Sequence, residues 1–200
     1  MAIAVLVAMT VFAAALAGWG TVVARYAGLS RTCWPLTIAW GLAAVLFLGG
    51  VLNALHLAFA AALATIVIGG LCLLGLELRH TRRADLARFW KERKAKDFAV
   101  AGLIAAILIF TAVTQLPPSA FSFMDDFGKY FFHPLAMLAN GSVLGGPTSD
   151  LGSETLGGKA FLDAFVVAIF PITAINATDA VFGLALALAL AAVAARHAPA

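Results

Sequence analysis

The feature that most constrains this chain is a run from Ala2 to Ala24 that is apolar and carries no charge. At 1.5 Å per residue, a helix of about 23 residues crosses a hydrocarbon layer of ~30 Å. Further apolar runs follow at 33–52, 57–78, 98–115, 160–175 and 180–195. Hydrocarbon offers no partner to backbone N–H and C=O groups, so each run predicts a helix that satisfies its own. Composition leaves no other class open. Of 200 residues, 63% are hydrophobic and 12% are charged, about half the charged share of an ordinary soluble domain. A disordered chain would be polar and charge-rich. Two cysteines cannot make a disulfide scaffold, and 18 glycines without a triplet period do not make collagen. The fold class expected is all-α: an integral membrane protein with about six transmembrane helices and an outer-side amphipathic interfacial helix.

Three regions are expected: a four-helix transmembrane region over 1–115, an outer-side loop over 116–159, and two further transmembrane helices over 160–200. The first run has no basic start and no small-residue cleavage site before a polar segment, so it is read as a retained helix. Pro35 falls in the first turn of the second span, where its missing N–H is harmless. Asn53 to His56 mark a tight connection, Pro117-Pro118 stop the fourth span, and Pro171 kinks the fifth. Gly18/Gly20 and Gly49/Gly50 either allow close helix approach or reflect the ordinary glycine content of membrane helices. Trp19, Trp34 and Trp90 have the placement of interface anchors. Cys33 and Cys72 lack metal-ligand spacing and are read as buried free thiols.

The net charge of +3 does not point to nucleic acid, because the basic residues are not spread over a surface. Eight of the 13 lie together: Arg79, Arg82, Arg83, Arg88, Lys91, Arg93, Lys94 and Lys96. A loop over 79–97 with this excess is cytoplasmic by the positive-inside rule, and an anionic-lipid site is the sharper alternative. Arg25 and Arg31 flank the first connection and agree with it. The N-terminus is then outside, and residues 116–159 emerge on the outer, periplasm-like side.

That outer loop holds four acidic residues, two lysines and four prolines. Within it Phe127, Phe131, Leu135 and Leu138 share one helical face, which predicts a helix lying in the membrane interface. Asp125 and Asp126 fall at its start, where the helix dipole favours negative charge, and Gly141 is placed to end it. The pair supports three readings: a simple helix cap, a carboxylate with raised pKa acting as a general base, or oxygen ligands for a divalent cation. His133 is read as an interfacial hydrogen-bonding residue, with ligation of a metal or pigment as the alternative. His56 at a helix junction has no second histidine at a haem-partner spacing. Asp163 and Asp179 lie in or beside apolar runs, where ionisable groups are costly and often functional. The structural reading is that Asp163 reaches the interface and Asp179 caps the last helix. Gly152 to Lys159 has a passing likeness to a phosphate loop, but Ala160 stands where Ser or Thr is needed and no strand precedes it.

Asp125-Asp126, Tyr130 four positions later, and Met137-Leu138-Ala139-Asn140-Gly141 resemble the first outer loop of the GT-C membrane glycosyltransferases. The segment from Gly145-Gly146-Pro147 to Leu156-Gly157-Gly158-Lys159-Ala160-Phe161-Leu162 is similar to bacterial polytopic proteins of this type. The resemblance implies a bacterial inner-membrane protein using a polyprenyl-phosphate sugar as donor. Asp125 or Asp126 would be the acceptor-activating base or cation ligand, and Tyr130 and His133 would contact substrate. Family members present the acidic pair after the first span, whereas four spans precede it here. They are also longer, so this chain is expected to be too short for catalysis on its own. The reading from the other function class is a non-catalytic accessory subunit packed in a larger membrane complex of respiratory or photosynthetic type.

Overall fold

A computed structural model describes residues 2–28, 36–80, 102–110, 114, 131–143 and 158–197. All regular structure among them is helical. Three long helices, α1 (Ala2–Tyr26), α2 (Thr37–Ala54) and α3 (Ala60–His80), are followed by the short α4 (Phe132–Asn140) and α5 (Gly158–Val167). A 3-10 turn over Ile172–Ala174 leads into α6 (Ala177–His197). Residues 102–110 are also helical. Four described helices, α1, α2, α3 and the stretch containing α6, are long and apolar enough to cross a membrane.

The first three helices pack up, down, up. Leu16 lies against Gly41 and Gly20 against Thr37, an antiparallel register for α1 and α2. Ala15 lies against Gly70 and Gly18 against Gly70 and Leu74, a parallel register for α1 and α3. These seams are backbone to backbone. A Cβ on Gly18 would stand 1.8 Å from the Gly70 carbonyl oxygen, and one on Gly41 1.7 Å from that of Leu16. In lipid, helices gain little from hiding apolar surface from one another, so association depends on such close packing. Gly18 and Gly20 thus serve close approach, whereas Gly50 has no heavy atom within 4 Å of where a Cβ would be.

Trp19 departs from the interface-anchor expectation. Its Nε1–H donates to the Ile66 carbonyl at 2.9 Å, and its ring lies on Gly69 and Gly70, so it ties α1 to α3. Trp34 and Trp90 lie outside the described residues. Arg25 donates to Glu77 at 2.6 Å at the α1 and α3 C-termini. Cys72 is exposed rather than buried, because α3 turns that face away from α1; Cys33 lies outside the described residues. Large apolar side chains point outward on every long helix, among them Ile3, Phe47, Ile68 and Leu190. That surface suits a lipid bilayer and would associate in water.

The apolar run over 160–175 does not form one helix. Alpha-helix α5 stops at Val167, and the chain turns through Pro171 and the 3-10 segment before α6 begins at Ala177. Ten residues of helix span only ~15 Å, half a hydrocarbon layer. The reason lies in the surroundings: Phe161 to Val166 are buried one after another, so α5 is enclosed on every side. Phe165 has no exposure, stacks on Phe12 at 6.3 Å between centroids, and fills the space beside Gly49. Pro171 therefore sits in a break between two helices rather than kinking one. The last expected span is present as α6.

Candidate functional site

Two polar junctions are built into this apolar bundle. The first joins the α2–α3 turn to the end of α4. Helix α2 closes with the Leu57 N–H bonded to the Leu52 carbonyl at 2.8 Å and the His56 N–H to that of Asn53 at 3.1 Å. This is the paired-bond ending usually completed by glycine. Here His56 takes the left-handed position, with φ 57°. His56 lies in the turn as the sequence suggested, and its imidazole is exposed.

Gly141 also ends its helix from a left-handed position, with φ 74° and its N–H bonded to the Met137 carbonyl four residues back, as expected from the sequence. It is pressed onto the turn: a Cβ there would stand 2.3 Å from the His56 oxygen. The Ala58 N–H donates to the Gly141 carbonyl at 2.8 Å. Buried Asn53 completes the junction, its Oδ1 accepting from the Val143 N–H at 2.7 Å and from the Ser142 hydroxyl at 3.1 Å. Residues 141–143 are thus fastened to the end of the α2–α3 hairpin away from the Arg25–Glu77 pair.

Helix α4 buries Pro134 and Met137, and Phe131 just ahead of it is buried as well, while Leu135 is exposed. The expected face of Phe131, Leu135 and Leu138 is therefore rotated. Packing against α5 selects the i, i+3, i+6, i+10 row that ends in Gly141, because Gly141 must meet the turn. His133 is half-buried, its ring edge-on to Phe132 at 6.2 Å. The other expected site residues, Asp125, Asp126 and Tyr130, lie outside the described residues, as do Phe127 and the segment 144–157.

The second junction joins α5 to α6. Asp163 is 1% exposed in the middle of α5. The Thr178 hydroxyl donates to its Oδ1 at 2.5 Å and also lies 3.0 Å from the Ile175 carbonyl. Above them, at the surface, Lys159 Nζ donates to Asp179 Oδ1 at 2.7 Å and stands 3.9 Å from Asp163 Oδ2. Burial pushes the Asp163 carboxyl up to about 6, against the Lys159 charge and the Thr178 hydroxyl, which pull it down; the Asp179 charge adds to the rise. Asp179 does sit in the first turn of α6, but its carboxylate is paired with Lys159. Asp163 does not reach the interface: it is enclosed in the core.

Sequence reading singled out Asp163 and Asp179 but missed their partners. Lys159 was visible in a failed phosphate-loop likeness and in the resemblance segment, not as a partner of either carboxylate, and Thr178 carries no signal of its own. Asn53 was marked as part of a connection, not as the acceptor that holds a segment 90 residues away. Chemically, the second junction can hold a proton. Among the described residues no three His, Cys, Asp or Glu side chains gather to hold an ion. No family model, no curated protein and no solved structure matches the chain.

Proposed function

We propose that the chain is a membrane-embedded relative of the GT-C lipid-linked-sugar glycosyltransferases, with Asp125 and Asp126 as its acidic pair. One observation supports this reading. Residues 141–143, which begin at the last residue of the resemblance motif, are bonded to the α2–α3 turn at the bundle end away from Arg25 and Glu77. The basic loop leaves α3 from the Arg25 end, so charge counting assigns that end to the cytoplasm and α4 to the outer, periplasmic side of a bacterial inner membrane. Asp126 is six residues ahead of α4, at most ~20 Å of extended chain. In this reading one carboxylate removes the proton from the acceptor hydroxyl as the sugar leaves its polyprenyl phosphate. The other carboxylate would hold a divalent cation, whose positive charge would offset that of the departing phosphate. Tyr130 and His133 are the residues that the resemblance implies contact substrate.

The test is sugar transfer by native membrane vesicles, in which the chain keeps the further subunits that its shortness implies, supplied with a radiolabelled polyprenyl-phosphate sugar and magnesium or manganese. Wild-type vesicles are expected to yield a new labelled glycolipid. Asp125→Asn and Asp126→Asn should abolish it, and Asp97→Asn in the basic loop should not. No product with any donor, together with constant purification in a respiratory or photosynthetic complex, would replace this reading by that of an accessory subunit.

A further inference from the structure

We propose that Asp163 is a proton-binding site that latches α5 to α6, with Lys159 exchanging Asp179 for Asp163 when the proton leaves. The argument begins with a hydrogen count. Thr178 Oγ1 lies within hydrogen-bond distance of two acceptors, Asp163 Oδ1 at 2.5 Å and the Ile175 carbonyl at 3.0 Å, and a hydroxyl has one proton to donate. With Asp163 ionised, that proton goes to the carboxylate and the Ile175 oxygen is left with the Thr178 N–H at 3.2 Å. With Asp163 protonated, its O–H donates to Thr178 Oγ1 and the Thr178 O–H donates to Ile175, so every short contact carries a proton.

The cation is placed to match. Lys159 Nζ is bonded to exposed Asp179 and lies beyond hydrogen-bond reach of Asp163, at 3.9 Å. A neutral Asp163 tolerates that arrangement; an ionised one leaves a charge in the core whose nearest cation is a side-chain rotation away. The released proton passes to water at the rim, where Lys159 and Asp179 are both about half exposed.

Among the described residues, no other element supplies a competing charge. Of the helices packed on α5, α2 has no titratable residue and α1 has only Arg25 and Tyr26, at its far end. Helix α3 contributes Cys72, Glu77, Arg79 and His80, all in the half that ends beside Arg25. The 3-10 turn has none. Helix α4 has His133, edge-on to Phe132. Helix α6 has Asp179 in its first turn and Arg196 and His197 in its last. Among the described residues, Lys159 and Asp179 are the charges that act on Asp163.

The experiment is a pH titration of the protonated-carboxyl infrared band of the full chain in proteoliposomes. Wild type should show a component with a midpoint near 6 that is missing in Asp163→Asn. Because a neighbouring charge acts with a definite sign, Lys159→Gln should tighten proton binding about tenfold and Asp179→Asn should weaken it by a similar factor. Both changes are at the exposed rim and report even if Asp163→Asn fails to fold. A midpoint in the ordinary aspartate range, a band that survives in Asp163→Asn, or rim variants shifting the midpoint in the same direction would overturn the proposal.

Discussion

Replacing Gly141 by alanine should loosen α4 from the bundle, and the size of the effect follows from three contacts. An L-residue at φ 74° pays ~1–2 kcal/mol for the left-handed conformation. The new methyl group would stand 2.3 Å from the His56 oxygen and 2.8 Å from the Phe59 ring. The ring can turn aside, but the His56 oxygen is main chain in a turn held by its own two bonds. Residues 141–143 must therefore lift. Lifting stretches the Ala58–Gly141 bond and the two bonds to Asn53, each worth ~1 kcal/mol net. Partial loss of these with the conformational cost gives ~3–5 kcal/mol. Reversible unfolding in mild detergent, followed by circular dichroism, measures it. Gly50→Ala is the control: it has open space, and alanine favours a helix by up to ~1 kcal/mol. Gly141→Asn separates the causes, since asparagine tolerates the left-handed region but still carries a Cβ; it should be nearly as damaging. An unfolding free energy for Gly141→Ala within ~0.5 kcal/mol of wild type, below the cost of a single lost hydrogen bond, would refute the reasoning.

Three further outcomes are expected. Asn53→Leu leaves the Val143 N–H and the Ser142 hydroxyl without their acceptor and should cost ~3 kcal/mol in the same assay, with Asn53→Asp costing less because it still accepts. Gly41→Ala must push α1 from α2 at the Leu16 carbonyl and should destabilise by ~1–3 kcal/mol or more, with a lower unfolding temperature. The Asp163 carboxyl is raised in the folded chain from 3.8 to about 6, so the folded state holds its proton more firmly than the unfolded state. The stabilisation this brings is complete below pH ~4 and is lost as pH rises through 6, up to ~3 kcal/mol by pH 7; Asp163→Asn should flatten that window in unfolding measured from pH 4 to 7.

Much of the bundle was legible beforehand because the information is local. Uncharged runs predict helices, and α1, α2, α3 and α6 lie within or close to the runs expected. Gly141 was legible for the same reason: a glycine after the last apolar position of a helix ends it. The α4 face was misjudged because hydrophobic spacing offers several rows, and only contact with α5 and with the α2–α3 turn chooses among them. Asp163 was conspicuous as a charge in an apolar run, but its hydroxyl partner is 15 positions away, across a break that hydropathy alone does not mark.

Chain chemistry by itself determined that this protein is a set of apolar helices with its positive charge gathered at one connection, since charge and hydropathy are properties each residue carries alone. Tertiary structure decided which apolar run would cross and which would plug. Residues 158–167 became a short enclosed helix because Phe12 and Gly49 on two other helices shape a slot for Phe165. That enclosure also took Asp163 away from water and gave it Thr178 and Lys159 as neighbours. Burial and partnership are pairwise facts, and they exist only once the helices have met.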